Sequence, residues 1–433
     1  MRKFKECVVL LMVALVVSCQ PISRPRREAQ QVAIAEFGLA KAKPEEVGLS
    51  SARLKRVNKV MQGYVDENKL VGLVTVVARR GKVAHFECFG TMDIESNKAM
   101  RPDTIFRIYS MSKPITSVAM MMLYEEGYFQ LNDPVSKFIP EFKEVKVFVK
   151  KSEEGVEVAE LKRQITIRDL LAHTSGLAYG LGKDTPVDEM YQEAKMLKWD
   201  ETLEEKVGRL VKLPLANQPG SAWRYSISVD VLSRLVEVIS GRRFDVFLEE
   251  RIFGPLGMED TGFYVPEEEI GRFAELYKRG KNDDLERNDT LYWGDFSKQP
   301  WFLSGGGGLV STASDYMRFC QMMLNGGELD GVRLLSRKSV ELMTANHLTK
   351  ELIRQGSMTK GHGFGLGFAV LMDVAQSEAL GSEGEYSWGG AASTGFWIDP
   401  EEELIGILMT QFMPYNGRFT KEFKVLTYQA IVD

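Results

Sequence analysis

The 433 residues predict an α+β fold in which one sheet is assembled from both ends of the chain around a helical insertion. Three observations carry this. Strand-like apolar runs stand early, at residues 70–78 and 82–89. A second β-rich stretch comes late, at 393–398 and 404–411, parted by the turn Asp399-Pro400. Between them, residues 131–380 read mainly as helices and loops. At 44% hydrophobic and 27% charged the composition is globular and ample for a large core. Acids and bases are mixed along the chain at a net charge of −5, without the basic stripe of a nucleic-acid binder, so that partner class is set aside.

The first residues read as a leader. Met1-Arg2-Lys3-Phe4-Lys5 is a short basic segment, and the apolar run 8–17 is too short to span a bilayer comfortably. It ends in Val16-Val17-Ser18-Cys19, which resembles a bacterial lipobox with Cys19 as the lipidated residue; a plain secretory signal with an incidental cysteine is the alternative. Gln20 is not the aspartate that favours inner-membrane retention, so the expected location is extracytoplasmic, lipid-anchored in the outer or periplasm-facing membrane of a bacterium. The expected organisation is a leader over 1–18, a polar tether over 19–44 and a folded domain over 45–433, with sheet portions at about 45–127 and 381–433 and a helical portion at about 128–380.

Within the domain, Leu54, Val57, Val60, Met61 and Tyr64 fit an amphipathic helix capped by Ser50 or Ser51. The two early strands flank Arg80-Gly81, a tight-turn pair, so a hairpin is expected. An apolar helix beginning at Ser110 should end near Gly127. Asn132-Asp133-Pro134 and Thr166-Ile167-Arg168-Asp169 open two short helical pieces, and the charged residues 153–160 read as a surface loop. A glycine run, Ser304-Gly305-Gly306-Gly307-Gly308-Leu309, leads to Ser314-Asp315 as the cap of a helix over 316–324, and a final amphipathic helix spans about 420–431. Of four cysteines, Cys7 leaves with the leader, and Cys88 and Cys320 read as buried free thiols rather than a disulfide. No Cys/His spacing suggests a metal, and no cofactor is expected.

The chemistry centres on Ser110-Met111-Ser112-Lys113. Residues three apart share a helix face, so the Lys113 amine reaches the Ser110 hydroxyl, and the helix dipole favours developing alkoxide there. Ser112, one position from Lys113, lies off that face. A lone S-x-x-K means little, since roughly one or two chance matches are expected in a chain of this size. Trp223-Arg224-Tyr225-Ser226 adds a tyrosine that can share proton transfer with Lys113, or else a core tyrosine at a helix start. Tyr386-Ser387-Trp388-Gly389-Gly390-Ala391 opens the late strand pair. Its glycines let backbone approach a ligand and supply an oxyanion donor beside the Ser110 amide, or else mark a packed bulge. Four histidines and no G-x-S-x-G elbow give a Ser-His-Asp triad little support; His173 reads as structural.

Taken together, Ile108-Tyr109-Ser110-Met111-Ser112-Lys113-Pro114, Leu170-Leu171-Ala172-His173-Thr174-Ser175-Gly176-Leu177, Tyr225-Ser226, the glycine run and Trp388-Gly389-Gly390 resemble the serine β-lactamase and penicillin-binding-protein superfamily. The likeness lies on the class C β-lactamase side and most closely with the family VIII carboxylesterases. It covers about residue 43 onward. It implies an α/β sandwich of antiparallel strands beside an all-helical domain, with the site between them. It further implies Ser110 as nucleophile, Lys113 and Tyr225 managing its proton, and the amides of Ser110 and Ala391 holding the oxyanion.

Two departures bear on the substrate. The family's Tyr-x-Asn has Ile227 in its third position, and Lys-Thr-Gly is replaced by Trp388-Gly389-Gly390, which removes a carboxylate-binding cation and adds an apolar ring. Nearby Tyr179, Trp293, Trp301 and Phe302 agree in character. The expected function is a serine hydrolase forming an acyl-enzyme, an esterase on short-acyl neutral esters. β-Lactamase or D-alanyl peptidase activity on cell-wall material, and a non-catalytic cell-wall-binding lipoprotein, are the alternatives. The expected partners are a small ester or amide substrate and, through the lipid anchor, a membrane.

Overall fold

The computed structural model describes residues 38–153, 155–181, 185–289, 294–354 and 358–433. The leader, Cys19, most of the tether and Trp293 lie outside them. Helix α1 (Ser51–Asp66) starts where Ser50 accepts the Arg53 N–H. Strands β1 (Gly72–Arg79) and β2 (Lys82–Asp93) form the expected hairpin across Arg80-Gly81, both residues left-handed as a two-residue turn of matching twist requires. Short β3 (Lys98–Ala99) follows, and α2 (Ser112–Glu125) ends before the left-handed Gly127.

α3 (Ile167–Leu171) carries a capping box from Thr166 and Asp169. α4 (Ser228–Ser240) and α5 (Ala313–Leu324) complete the helices that frame the site. The chain then returns to the sheet through β4 (His362–Phe364), β5 (Ala369–Leu371), β6 (Tyr386–Gly389), β7 (Gly395–Asp399) and β8 (Leu404–Thr410), and α6 (Arg418–Tyr428) covers it.

The eight strands lie in the order β4-β5-β6-β7-β8-β1-β2-β3, every neighbouring pair antiparallel. β1 and β8 are buried along their whole length, and their alternation sorts side chains to two faces. Leu73, Val77, Trp397, Leu404 and Leu408 pack with α1 and α6 on one side. Val74, Val76, Phe396, Ile405 and Ile407 join the larger core, which takes in the almost wholly buried α2 and the helical portion. The α/β sandwich with a helical portion beside it is thus the observed architecture.

Four local expectations are corrected. The late part of the sheet begins at His362, not at residue 381, because β4 and β5 are three residues each and are interleaved with Gly363, Gly365 and Gly367, too short to show a period. The charged stretch near 153–160 is part of a hairpin, Val147–Ser152 against Gly155–Ala159, exposed on most of its surface, Val149, Val156 and Val158 included. Thr312, rather than Ser314-Asp315, caps α5 by accepting the Asp315 N–H, while the Asp315 carboxylate takes the Asp260 N–H and the Thr261 hydroxyl. Both cysteines are free, but only Cys320 is buried; Cys88 is half-buried on β2.

Candidate active site

Ser110 sits in a single 3-10 turn, Tyr109–Met111, just ahead of α2 rather than in its first α-helical turn. The preceding Phe106–Arg107 pairs with Val310–Ser311, which draws the glycine run alongside. Tyr109 is left-handed at φ 42°, a conformation that costs a bulky residue energy unless its surroundings hold it. They do so through Ser112, whose hydroxyl donates to the Tyr109 carbonyl at 2.6 Å and accepts the Leu309 N–H at 3.2 Å. Ser112 therefore ties the Ser110 turn to the glycine run.

Tyr225 arrives from the opposite side, in the segment leading into α4. That segment is clamped to the stretch after α3: Arg224 donates its N–H to the His173 carbonyl at 2.9 Å, and Ile227 donates to Ala178 at 3.1 Å. The Arg224 guanidinium also meets Asp188 at 2.5 Å. As a result Tyr225 Oη lies 2.6 Å from Ser110 Oγ, and Lys113 Nζ lies 3.3 Å from the same oxygen. Lys113 is 1% exposed, donates to the Gly306 carbonyl at 2.5 Å, and stands 4.6 Å from the Tyr225 ring centroid. The three residues singled out by sequence are brought together.

The third segment also converges. Gly390 is a glycine for a steric reason: a Cβ there would fall 2.4 Å from the Ile108 carbonyl oxygen and 2.3 Å from Thr394 Oγ1. This close approach sets the end of β6 against the turn that carries Ser110. Ala391 follows, and among the described residues its N–H meets no acceptor. Trp388 packs on Tyr225 at 5.7 Å and edge-on to Phe364 at 5.3 Å, so the apolar ring does stand beside the Ser110 centre. Tyr179 stacks on Tyr225 at 5.4 Å. Ile227 is buried in the main core and offers no polar atom from its side chain.

Ser110, Tyr225, Trp388, Gly389, Gly390 and Ala391 line one cavity of about 820 Å³, with Tyr179 in its wall. Trp301 and Phe302 are not among its lining residues, and Trp301 is 75% exposed. Lys113, buried, is not among the lining residues. The far wall comes from α6, where Arg418, Lys421 and Lys424 face the cavity, yet each is held by a carboxylate: Glu422, Glu378 and Glu385 respectively. Those cations, and Phe364 behind Trp388, have no signal in the motifs; they reach the site through tertiary packing alone.

His173 adjoins the cluster without touching Ser110. It is left-handed, buried, and packs its ring against Tyr225 at 5.1 Å, with Nδ1 3.3 Å from Ser226 Oγ. Burial, aided by the Lys113 charge, pushes its pKa down to about 3, so the ring stays uncharged.

Comparison with known proteins gives a consistent result. The family model described as Beta-lactamase matches residues 57–430. Protein Rv1367c of Mycobacterium tuberculosis is 39% identical over 356 residues, 81% of this chain and 88% of that protein. Esterase EstB of Burkholderia gladioli is 30% identical over 393 residues, 86% of this chain and 94% of the esterase. Among solved structures, EstCE1, described as a hydrolase with promiscuous acyltransferase activity, superposes with a TM-score of 0.74 at 27% identity, over 87% of this chain and 99% of its own.

Proposed function

The chain belongs to the β-lactamase family, and within it we propose a serine esterase that forms an acyl-enzyme on Ser110 from neutral esters with short acyl groups. The observation that carries this reading is the meeting of Tyr225 Oη and Lys113 Nζ on Ser110 Oγ at the wall of the cavity. Lys113 takes the hydroxyl proton, directly or by way of Tyr225, as Oγ bonds to the ester carbonyl carbon. The oxyanion is received by the N–H groups of Ser110 and Ala391. Collapse of this intermediate breaks the bond to the alcohol, which leaves with a proton from Tyr225. Water, deprotonated by the same pair, then attacks the acyl carbon and frees Ser110.

Trp388 supports a neutral substrate, because it puts an apolar ring where a carboxylate-binding cation would stand, and the α6 cations are already paired. A second reading, transfer of the acyl group to another alcohol, is favoured by the promiscuous acyltransferase activity described for EstCE1. Purified protein offered p-nitrophenyl butyrate and a cephalosporin should hydrolyse the ester, with turnover lost in Ser110→Ala. Good cephalosporin hydrolysis without ester turnover would move the assignment to the β-lactamase side. Failure of a fluorophosphonate to label Ser110 in folded protein would favour a binding role without catalysis. The lipobox-like Cys19 supports placing this enzyme outside the cytoplasm on a lipid anchor.

A further inference from the structure

Lys113 is steadied from behind by the glycine run, and the run is steadied by α4. Asp230, in the first turn of α4 and 3% exposed, accepts the Ser304 hydroxyl at 2.5 Å and the Gly306 N–H at 3.1 Å, both on Oδ1. One turn on, Ser233 accepts the Gly305 N–H at 3.1 Å, and Thr116 of α2 donates to the Gly305 carbonyl at 3.0 Å. Contact is close: a Cβ on Gly306 would lie 2.8 Å from Asp230 Oδ2 and press on the carboxylate. The outcome is that the Gly306 carbonyl sits 2.5 Å from Lys113 Nζ.

A carboxylate this deeply buried is costly without hydrogen bonds and a countercharge. Asp230 has both: two donors from the loop, and the charge of Lys206, a 1%-exposed residue on the helix Leu203–Leu210 that feels Asp230 electrostatically. Nothing in the esterase chemistry itself requires an acid here.

We propose that Asp230 is a positioning residue for acyl transfer, acting through Gly306 on the orientation of the Lys113 amine. The proposal rests on Ser110 and Lys113 being nucleophile and base. To receive the Ser110 proton, Nζ must aim its lone pair at Oγ. An amine free to turn about its last carbon–nitrogen bond does so only part of the time. One N–H committed to the Gly306 carbonyl stops that rotation, and the same bond strengthens as the amine becomes an ammonium. Asp230 touches neither substrate nor Ser110; it holds the carbonyl that holds the lysine.

The test uses purified full-length protein and p-nitrophenyl butyrate, with urea unfolding run on each variant. Asp230→Ala should lower kcat on the order of 10²-fold while KM changes little, as expected when a reacting group is misplaced by about an ångström. Asp230→Asn keeps an oxygen that accepts both bonds and should restore kcat to within about fivefold of wild type. Gly306→Ala keeps the acid but sets a Cβ against its carboxylate, which should part the loop from Asp230 and reproduce the kcat loss. If neither Asp230→Ala nor Gly306→Ala folds, Ser304→Ala, which removes one hydroxyl, decides by a several-fold kcat loss or its absence. Wild-type kcat in a folded Asp230→Ala or Gly306→Ala protein overturns the proposal. So does an Asp230→Asn protein of normal stability that is as slow as Asp230→Ala, or a loss confined to KM. Turnover surviving in Ser110→Ala would instead overturn the assignment of the nucleophile.

Discussion

Two histidines in the interior are kept uncharged by burial, His173 with a pKa pushed down to about 3 and His85 to about 4. Unfolded, both take up a proton near 6.5, so below that pH the unfolded chain binds protons that the native protein refuses. Their contribution to stability is intact above pH 6.5 and falls as the medium acidifies toward 4, by roughly 1 kcal/mol per pH unit for each ring. Asp315, pushed up to about 7 by burial and the neighbouring Asp260, acts in the opposite sense, so the clean measurement is a difference between variants. His173→Asn tolerates the left-handed backbone at φ 54° and no longer titrates. Its stability deficit in urea unfolding should be larger at pH 7.5 than at pH 5, narrowing by roughly 1 to 2 kcal/mol. A deficit that stays constant would mean that His173 titrates normally. At this scale, Ser110 and Lys113 were legible from their spacing, and Tyr225 from the Tyr-Ser pair that the family resemblance singles out. Gly306 was not, because its contribution is a backbone carbonyl, and any residue has one. Asp230 is a lone acid in the apolar run 229–236, and nothing in that spacing names its partners.

Elements show the same division. α1 announces itself through its cap and apolar periodicity, α2 through an unbroken apolar run and α3 through its capping box, whereas β4 and β5 exist only because β6 offers an edge to pair with. The late strands do more than fill the sheet, since the end of β6 touches the turn before α2 and brings Ala391 to the cavity that Ser110 lines. Gly390→Ala tests that contact, because its Cβ would meet the Ile108 carbonyl oxygen at 2.4 Å. Displacing the strand end should lower kcat for p-nitrophenyl butyrate by roughly 10²-fold, the usual cost of losing one oxyanion donor. Fluorophosphonate labelling of Ser110, read by mass spectrometry, should slow in parallel. An alanine variant with unchanged kcat would show that the Ala391 N–H has no part in the chemistry.

For the whole molecule, the family and the sandwich were legible from motifs scattered over most of the chain, while the extent of the sheet was not, for want of period in its shortest strands. The proposed lipid anchor is a property of this scale too, because it concerns where the folded domain is kept. In a bacterial host, Cys19→Ala should move the protein from the membrane fraction to the soluble extracytoplasmic fraction with its specific activity unchanged; continued membrane association would remove the case for lipidation at Cys19. One feature of the sheet also governs how the protein comes into being. β1 pairs with β8, and Thr410 Oγ1 donates to the Gly72 carbonyl, 338 residues away in sequence. As the ribosome works, the serine, the lysine and the tyrosine are all in place on the nascent polypeptide long before Ala391, the proposed oxyanion donor, and the central strand exist. On the proposed mechanism, hydrolytic power therefore arrives late, and an unfinished polypeptide carries a serine it has no means of using.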